Sequence, residues 1–216
     1  MRYDLIVFDW DGTLMDSAAL IAESLQTACR EVGGPVPNTA EARHVIGMSM
    51  VAAIRSVAPD LAEETFPRLF ESYRRHYLTH EPVLRPFAEV GAMLEALDQS
   101  GHLLAVATGK PRAGLERALE STGFKRHFVA TRCADEENPK PAPDMLNYLM
   151  DVCGVSPAQT LMIGDTSHDL LMAGHAGVDA LAVTYGAQPR TTLEQHTACA
   201  YLDSVPELWR WLSEQG

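Results

Sequence analysis

After Pro82 and Pro86 the chain alternates helix-patterned and strand-patterned runs all the way to residue 186. EVGAMLEALDQSG reads as helix, LLAVAT as strand, RAGLERALESTGF as helix and HFVAT as strand. PDMLNYLMDVCG, TLMIGD, SHDLLMAGHAG and DALAVTYG repeat the cycle. The strand runs are almost wholly apolar, as strands covered on both faces must be. Such alternation closes into a parallel sheet with helices on its two sides. A further apolar run, YDLIVF at residues 3–8, supplies a strand at the start. Between it and the alternating region, residues 17–80 carry helical spacing and few strand signals: SAALIAESLQTACREVGG, a helix capped by Asn38 or Thr39, and TFPRLFESYRRHYL. The expectation is the α/β class, a Rossmann-like parallel sheet core with an inserted α-helical cap domain. Residues 1–15 and 82–216 form the core and residues 16–81 the cap.

Bulk properties narrow the function. A chain of 216 residues with 46% apolar content is long enough to bury a substantial core. A net charge of −12 argues against a nucleic-acid partner, whose phosphate backbone calls for a basic face. The four cysteines, Cys29, Cys133, Cys153 and Cys199, show no metal-type spacing and read as reduced thiols. No apolar run approaches membrane-spanning length, and Asp9 interrupts the N-terminal one, so no membrane association and a cytoplasmic location are expected. The sequence carries no interface signal from which to read an oligomeric state.

In open parallel sheets, ligands bind beyond the carboxyl ends of the strands. The residues at those ends are therefore the informative ones. VFDWDGTLMDS runs a strand into Asp9 and Asp11. LLAVAT delivers Thr108, followed by Gly109 and Lys110, and TLMIG delivers Asp165 and Asp169. Lys140 follows the HFVAT strand, in a loop stiffened by Pro141 and Pro143. Several carboxylates converging in a dry site require a cation. All-oxygen donors of this kind suit Mg²⁺, which keeps part of its water shell and also binds phosphate. A lysine and a threonine hydroxyl beside it would hold phosphate oxygens. An aspartate placed against that phosphate can attack phosphorus, and a second carboxyl two residues on can act as general acid and base.

These motifs resemble the haloacid dehalogenase-like superfamily: DWDGTL at 9–14, the ATGK turn with Thr108, Lys140 in NPKPAPD, and GDTSHDL with Asp165 and Asp169. They occur in order over essentially the whole chain. The resemblance implies Asp9 as nucleophile and metal ligand, and Asp11 as general acid/base with its backbone carbonyl on the metal. It implies Thr108, the Gly109 backbone and Lys140 as phosphate-binding groups. Asp165 is implied as a Mg²⁺ ligand, with Asp169 ligating or orienting a bound water. Gly12 and Thr13 shape the turn beside the nucleophile. Arg43 and Gly47, in RHVIGMSM, fall where relatives carry a cap loop that dips into the site.

Within the superfamily, dehalogenases lack the second aspartate, which is present here as Asp11. Phosphonatases need a cap lysine, and residues 16–81 contain none. The sequence looks most like the phosphoglycolate phosphatase group, so the expected enzyme is a Mg²⁺-dependent phosphatase acting on a small phosphorylated, phosphoglycolate-like metabolite. The alternative is a β-phosphoglucomutase-like phosphosugar mutase; a catalytically silent binding protein would be expected to have lost one of the motifs. Asp16 and Ser17 read as a helix N-cap. Lys110 reads equally as a solvated or a substrate-touching lysine, His168 and His175 as packing or surface groups, and Trp209 and Trp211 as packing.

Overall fold

The computed structural model describes residues 2–215. The chain runs β1 (Leu5–Phe8), then four helices, α1 (Ala18–Glu31), α2 (Thr39–His44), α3 (Met50–Val57) and α4 (Phe66–His80). There follow α5 (Val90–Gln99), β2 (Leu103–Thr108), α6 (Arg112–Thr122), β3 (Ala130–Cys133) and α7 (Asp144–Cys153). The last part holds β4 (Thr160–Gly164), α8 (Ser167–Ala176), β5 (Asp179–Val183), α9 (Arg190–Leu193), β6 (Ala200–Leu202) and α10 (Val205–Gln215).

All six strands pair in parallel, in the order β3-β2-β1-β4-β5-β6. The order reverses at β1, which lies between β2 and β4, and a crevice opens beyond the carboxyl ends of the strands at such a reversal. Alternate residues of each strand feed two cores. Ile6, Phe8, Val106 and Ile163 pack with Met93 and Leu94 of α5, Leu115 of α6 and Leu208 of α10. Leu5, Val7, Ala107 and Met162 pack with Met145 and Leu149 of α7 and Leu170 of α8. This two-sided burial explains the continuous apolar runs. The expected α/β parallel sheet is present.

The four helices after β1 bury a cluster of their own, with Leu25, Cys29, Ile54 and Leu69 at its centre. Asn38 caps α2 by accepting from the Glu41 amide, while Glu41 reaches back to the Asn38 amide. Helix α3 had no counterpart in the sequence reading; it is eight residues long and starts at Ser49, whose Oγ accepts from the Ala52 amide. The strand expected at HFVAT begins later. Phe124–His127 is a 3-10 turn, and His127 is buried with Nδ1 3.2 Å from Asp98. Pairing with β2 starts at Ala130 opposite Ala105 and ends at Cys133 opposite Thr108. Trp211 stacks on Tyr3, with ring centroids 6.3 Å apart. Among the described residues, no helix is long and apolar enough to cross a membrane.

Candidate active site

The turn after β1 is built around Asp9. Its amide donates to Ile163 O at 2.8 Å, which fixes it against β4. Gly12 then turns the chain at φ +86°, and a Cβ there would lie 2.1 Å from Asp165 Oδ2. Only glycine fits both the conformation and the space. The Trp10 indole is buried edge-on between Phe124 and Phe128, at 6.5 and 6.4 Å, so it anchors the turn in the core.

Asp165 and Asp169 arrive from the end of β4 and the first turn of α8. Asp165 accepts from Thr13 Oγ1 at 2.9 Å and from the Ala187 amide at 2.6 Å. Asp169 Oδ2 accepts from the amide and hydroxyl of Thr166, a capping box that closes α8. Lys140, with a fully buried side chain, donates to Asp9 Oδ1 at 2.7 Å and Asp169 Oδ1 at 2.6 Å. Asp9, Asp165 and Asp169 each offer an oxygen within 4.8 Å of the others. Asp9 Oδ2 is buried with no hydrogen-bond partner among the described residues.

Three buried carboxylates thus face a single ammonium. Burial pushes the Asp9 carboxyl up to about 7, against the pull of Lys140 and with Asp169 adding to the rise. Burial also pushes Asp165 well above the usual carboxylate range, with Asp9 and Asp169 reinforcing it. Burial works against the Lys140 charge, yet Asp169 and Asp9 outweigh it and hold its pKa above the ordinary lysine value.

The Asp11 carboxylate stands outside this cluster. It accepts from Ser17 Oγ at 2.7 Å and from Lys110 Nζ at 2.9 and 3.1 Å. Lys110 is buried, also reaches the Tyr77 hydroxyl at 3.2 Å, and lies 4.8 Å above the Tyr77 ring. Burial opposes its charge, and Asp11, Tyr77 and Tyr73 overcome that and raise its pKa. Ser17 sits at the N-cap position of α1 but makes no side-chain cap bond; its hydroxyl serves Asp11 instead. Ser17 thus holds the expected N-cap position, but its side chain does not cap the helix. Lys110 is neither solvated nor free, and no sequence signal separated it from a surface lysine.

Thr108 is buried at the end of β2, where its Oγ1 accepts from the Lys110 amide at 3.1 Å. Gly109 abuts the helical segment: a Cβ there would lie 2.6 Å from Gly47 O. Gly47, at φ +91°, belongs to the turn between α2 and α3. That turn is pinned on the sheet side. Arg43 donates to Gly186 O at 3.2 Å, and His168 Nε2 and Gln188 Nε2 donate to His44 O at 3.1 and 3.0 Å. Gly47 borders the cavity described next, whereas Arg43 turns to the Gly186 backbone. The cavity measures about 530 Å³, and Asp9, Asp11, Thr108 and Gly109 lie along its floor.

A family model described as "Haloacid dehalogenase-like hydrolase" matches residues 6–183. The chain belongs to the haloacid dehalogenase-like hydrolase family. Among relatives of this haloacid dehalogenase-like chain is "Probable phosphatase IndB" of Dickeya dadantii, 33% identical over 94% of this chain and 91% of that one. A "Phosphoglycolate phosphatase" of Vibrio vulnificus is 32% identical over 84% of each chain. A solved structure described as a "predicted phosphoglycolate phosphatase", from Haemophilus somnus, superposes with a TM-score of 0.87 at 25% identity, over 98% of this chain and 99% of that one.

Proposed function

We propose that the protein is a Mg²⁺-dependent phosphatase that hydrolyses a small phosphomonoester through an aspartyl-phosphate on Asp9. Hydrolysis of a phosphoric monoester fits both the family and the names of its relatives. The observation that carries the reading is Asp9 itself. One of its oxygens is held by Lys140, the other is buried and unpartnered, and the residue borders the cavity.

The acidic cluster fits a metal ion. It offers oxygen donors only, an orphaned Oδ2, and more negative charge than Lys140 can balance. Asp9, Asp165 and Asp169 would hold Mg²⁺, together with the backbone carbonyl of Asp11. When bound, the ion neutralises charge on the carboxylates and on the phosphate oxygens.

The chain's own groups then account for the chemistry. The phosphoryl group rests against Thr108 Oγ1 and the Gly109 backbone, with Lys140 as its positive neighbour. An Asp9 carboxylate oxygen attacks phosphorus and forms an acyl phosphate as the bond to the ester oxygen breaks. Asp11 gives its proton to the departing alkoxide. It then takes a proton from a water molecule, which attacks phosphorus and frees Asp9. Ser17 and Lys110 hold the Asp11 carboxyl in place for both transfers. The helices between β1 and α5 act as the cap, and their Gly47 turn closes against Gly109. The four cysteines, all free, suit a cytoplasmic enzyme.

Phosphate release with Mg²⁺ and with EDTA tests this. Asp9→Asn is expected to lower kcat at least 10⁴-fold, comparable to loss of a triad nucleophile, while the melting curve measured in EDTA is retained. Turnover at the wild-type rate in that variant would refute the nucleophile. Isomerisation of a sugar phosphate with little phosphate release would favour the mutase alternative.

A further inference from the structure

The cavity above the phosphate floor is far larger than a phosphoryl group, and its walls are apolar. Ile21 and Leu25 of α1, Met48 and Met50 at the Gly47 turn, and Phe70 and Tyr73 of α4 line it. Tyr73 is stacked on Tyr77, with centroids 6.0 Å apart and ring planes 13° from parallel, so its ring is a fixed flat surface.

The charged groups that border the cavity are all engaged or at its rim. Lys110 is committed to Asp11 and Tyr77. Arg117 pairs with Glu81 at 3.2 Å and donates to Ala113 O at 2.8 Å. Asp135 accepts the Arg112 amide at 2.9 Å. Arg74 is exposed, where solvent screens its charge. Among the described residues, no buried cation in this space is left to receive a second anion. A carboxylate or second phosphate drawn into it would lose its hydration without a partner, which is unfavourable. Cavities of roughly 300–1,000 Å³ suit ligands of drug size, and a two-carbon acid phosphate would leave most of this one to water.

We infer that the alcohol portion of the substrate is uncharged and carries an apolar or aromatic ring, which lies against Tyr73 and between Met48, Met50 and Phe70. This rests on the phosphatase reading and selects among its substrates, setting the small acid phosphates aside.

The test compares alkyl esters, so that leaving-group chemistry is matched. With Mg²⁺ present, kcat/KM for 2-phenylethyl phosphate is expected to exceed that for 2-phosphoglycolate by about 100-fold, the value of burying one aromatic ring. Tyr73→Ala is expected to shrink that ratio about tenfold, and Tyr73→Phe to keep it. Met48→Lys, which puts an ammonium in the wall, is expected to narrow the ratio by favouring the carboxylate. A ratio at or below one in the wild type, or one that neither Tyr73→Ala nor Met48→Lys changes, would overturn the inference. Calorimetry with 2-phenylethylphosphonate and phosphonoacetate separates the two readings. Tighter binding of the phenyl compound with no turnover of any ester would sink the phosphatase and keep the apolar site. Equal binding, or none, would sink the apolar site whatever the turnover.

Discussion

At the scale of single residues, the site rests on a few positions where one atom decides the outcome. Gly12 is one, because a methyl group there meets Asp165 Oδ2 at 2.1 Å and the backbone sits at φ +86°. Gly12→Ala is expected to cost roughly 1–3 kcal/mol of stability from backbone strain alone, read as a fall in the urea midpoint, and to lower kcat further than KM. Lys140 is another. Among the described residues it is the one ammonium paired with this carboxylate cluster, so Lys140→Met is expected to reduce kcat by about 10²–10³, as loss of one preorganised charge does. Steady-state kinetics would check it, and a variant within twofold of wild type would remove Lys140 from the chemistry. The clustering of the acids and Lys140 was legible in the sequence because they fall in ordered motifs that follow strands. The Asp11 partners were not. Lys110 and Ser17 reach it through side-chain directions, and Tyr77, 66 residues from Asp11 in sequence, meets Lys110 rather than Asp11, so spacing carries no trace of this arrangement.

Elements place these residues by their ends. β1 and β4 end beside one another, which brings Asp9 to Asp165, and β2 ends with Thr108 on the other side of β1. The edge strand β3 is tied to α6 by one side chain. Arg112 forms paired hydrogen bonds to Glu136 at 2.9 and 2.6 Å and reaches Thr131 Oγ1 at 2.6 Å. Glu136 in turn accepts the Cys133 amide. Arg112→Ala is expected to cost about 1 kcal/mol, since the paired geometry is favourable but the pair is partly solvated. The hydrogen bond from Arg112 leads in holding the Glu136 carboxyl below its ordinary value. Its contribution is therefore present above the usual glutamate range and lost as pH falls through the lowered value. The stability gap between wild type and variant is expected to close in acid, and a gap constant from pH 7 to pH 3 would refute this. Helices with long apolar periodicity and the continuous apolar strands could be placed from sequence. The eight-residue α3 and the late start of β3 could not. The first is too short for a periodic signal, and the second is set by pairing with Ala105 rather than by local preference.

For the molecule as a whole, the sheet carries the acidic cluster and the helices between β1 and α5 enclose the space above it. Their own apolar cluster lets them hold a shape, and the Gly47 turn seats them on Gly109. Mg²⁺ binding to the acidic cluster is expected to stabilise the folded chain by about 2.7 kcal/mol at one hundred times Kd, seen as a rise in melting temperature that EDTA reverses. Asp165→Asn is expected to abolish that rise. The α/β parallel sheet could be read from the order of runs along the chain. The apolar character of the cavity could not, because its walls come from α1, the Gly47 turn and α4, and the same residues read singly as ordinary helix packing.

The central claim is that Asp9 carries the phosphoryl group. Rapid acid quenching during turnover, followed by borohydride reduction and peptide mass spectrometry, reads it directly, since an acyl phosphate is reduced at the carboxyl that holds it. The prediction is a reduced side chain at residue 9 and nowhere else, dependent on both Mg²⁺ and substrate. Reduction at another carboxylate, or none under conditions of steady phosphate release, would contradict it.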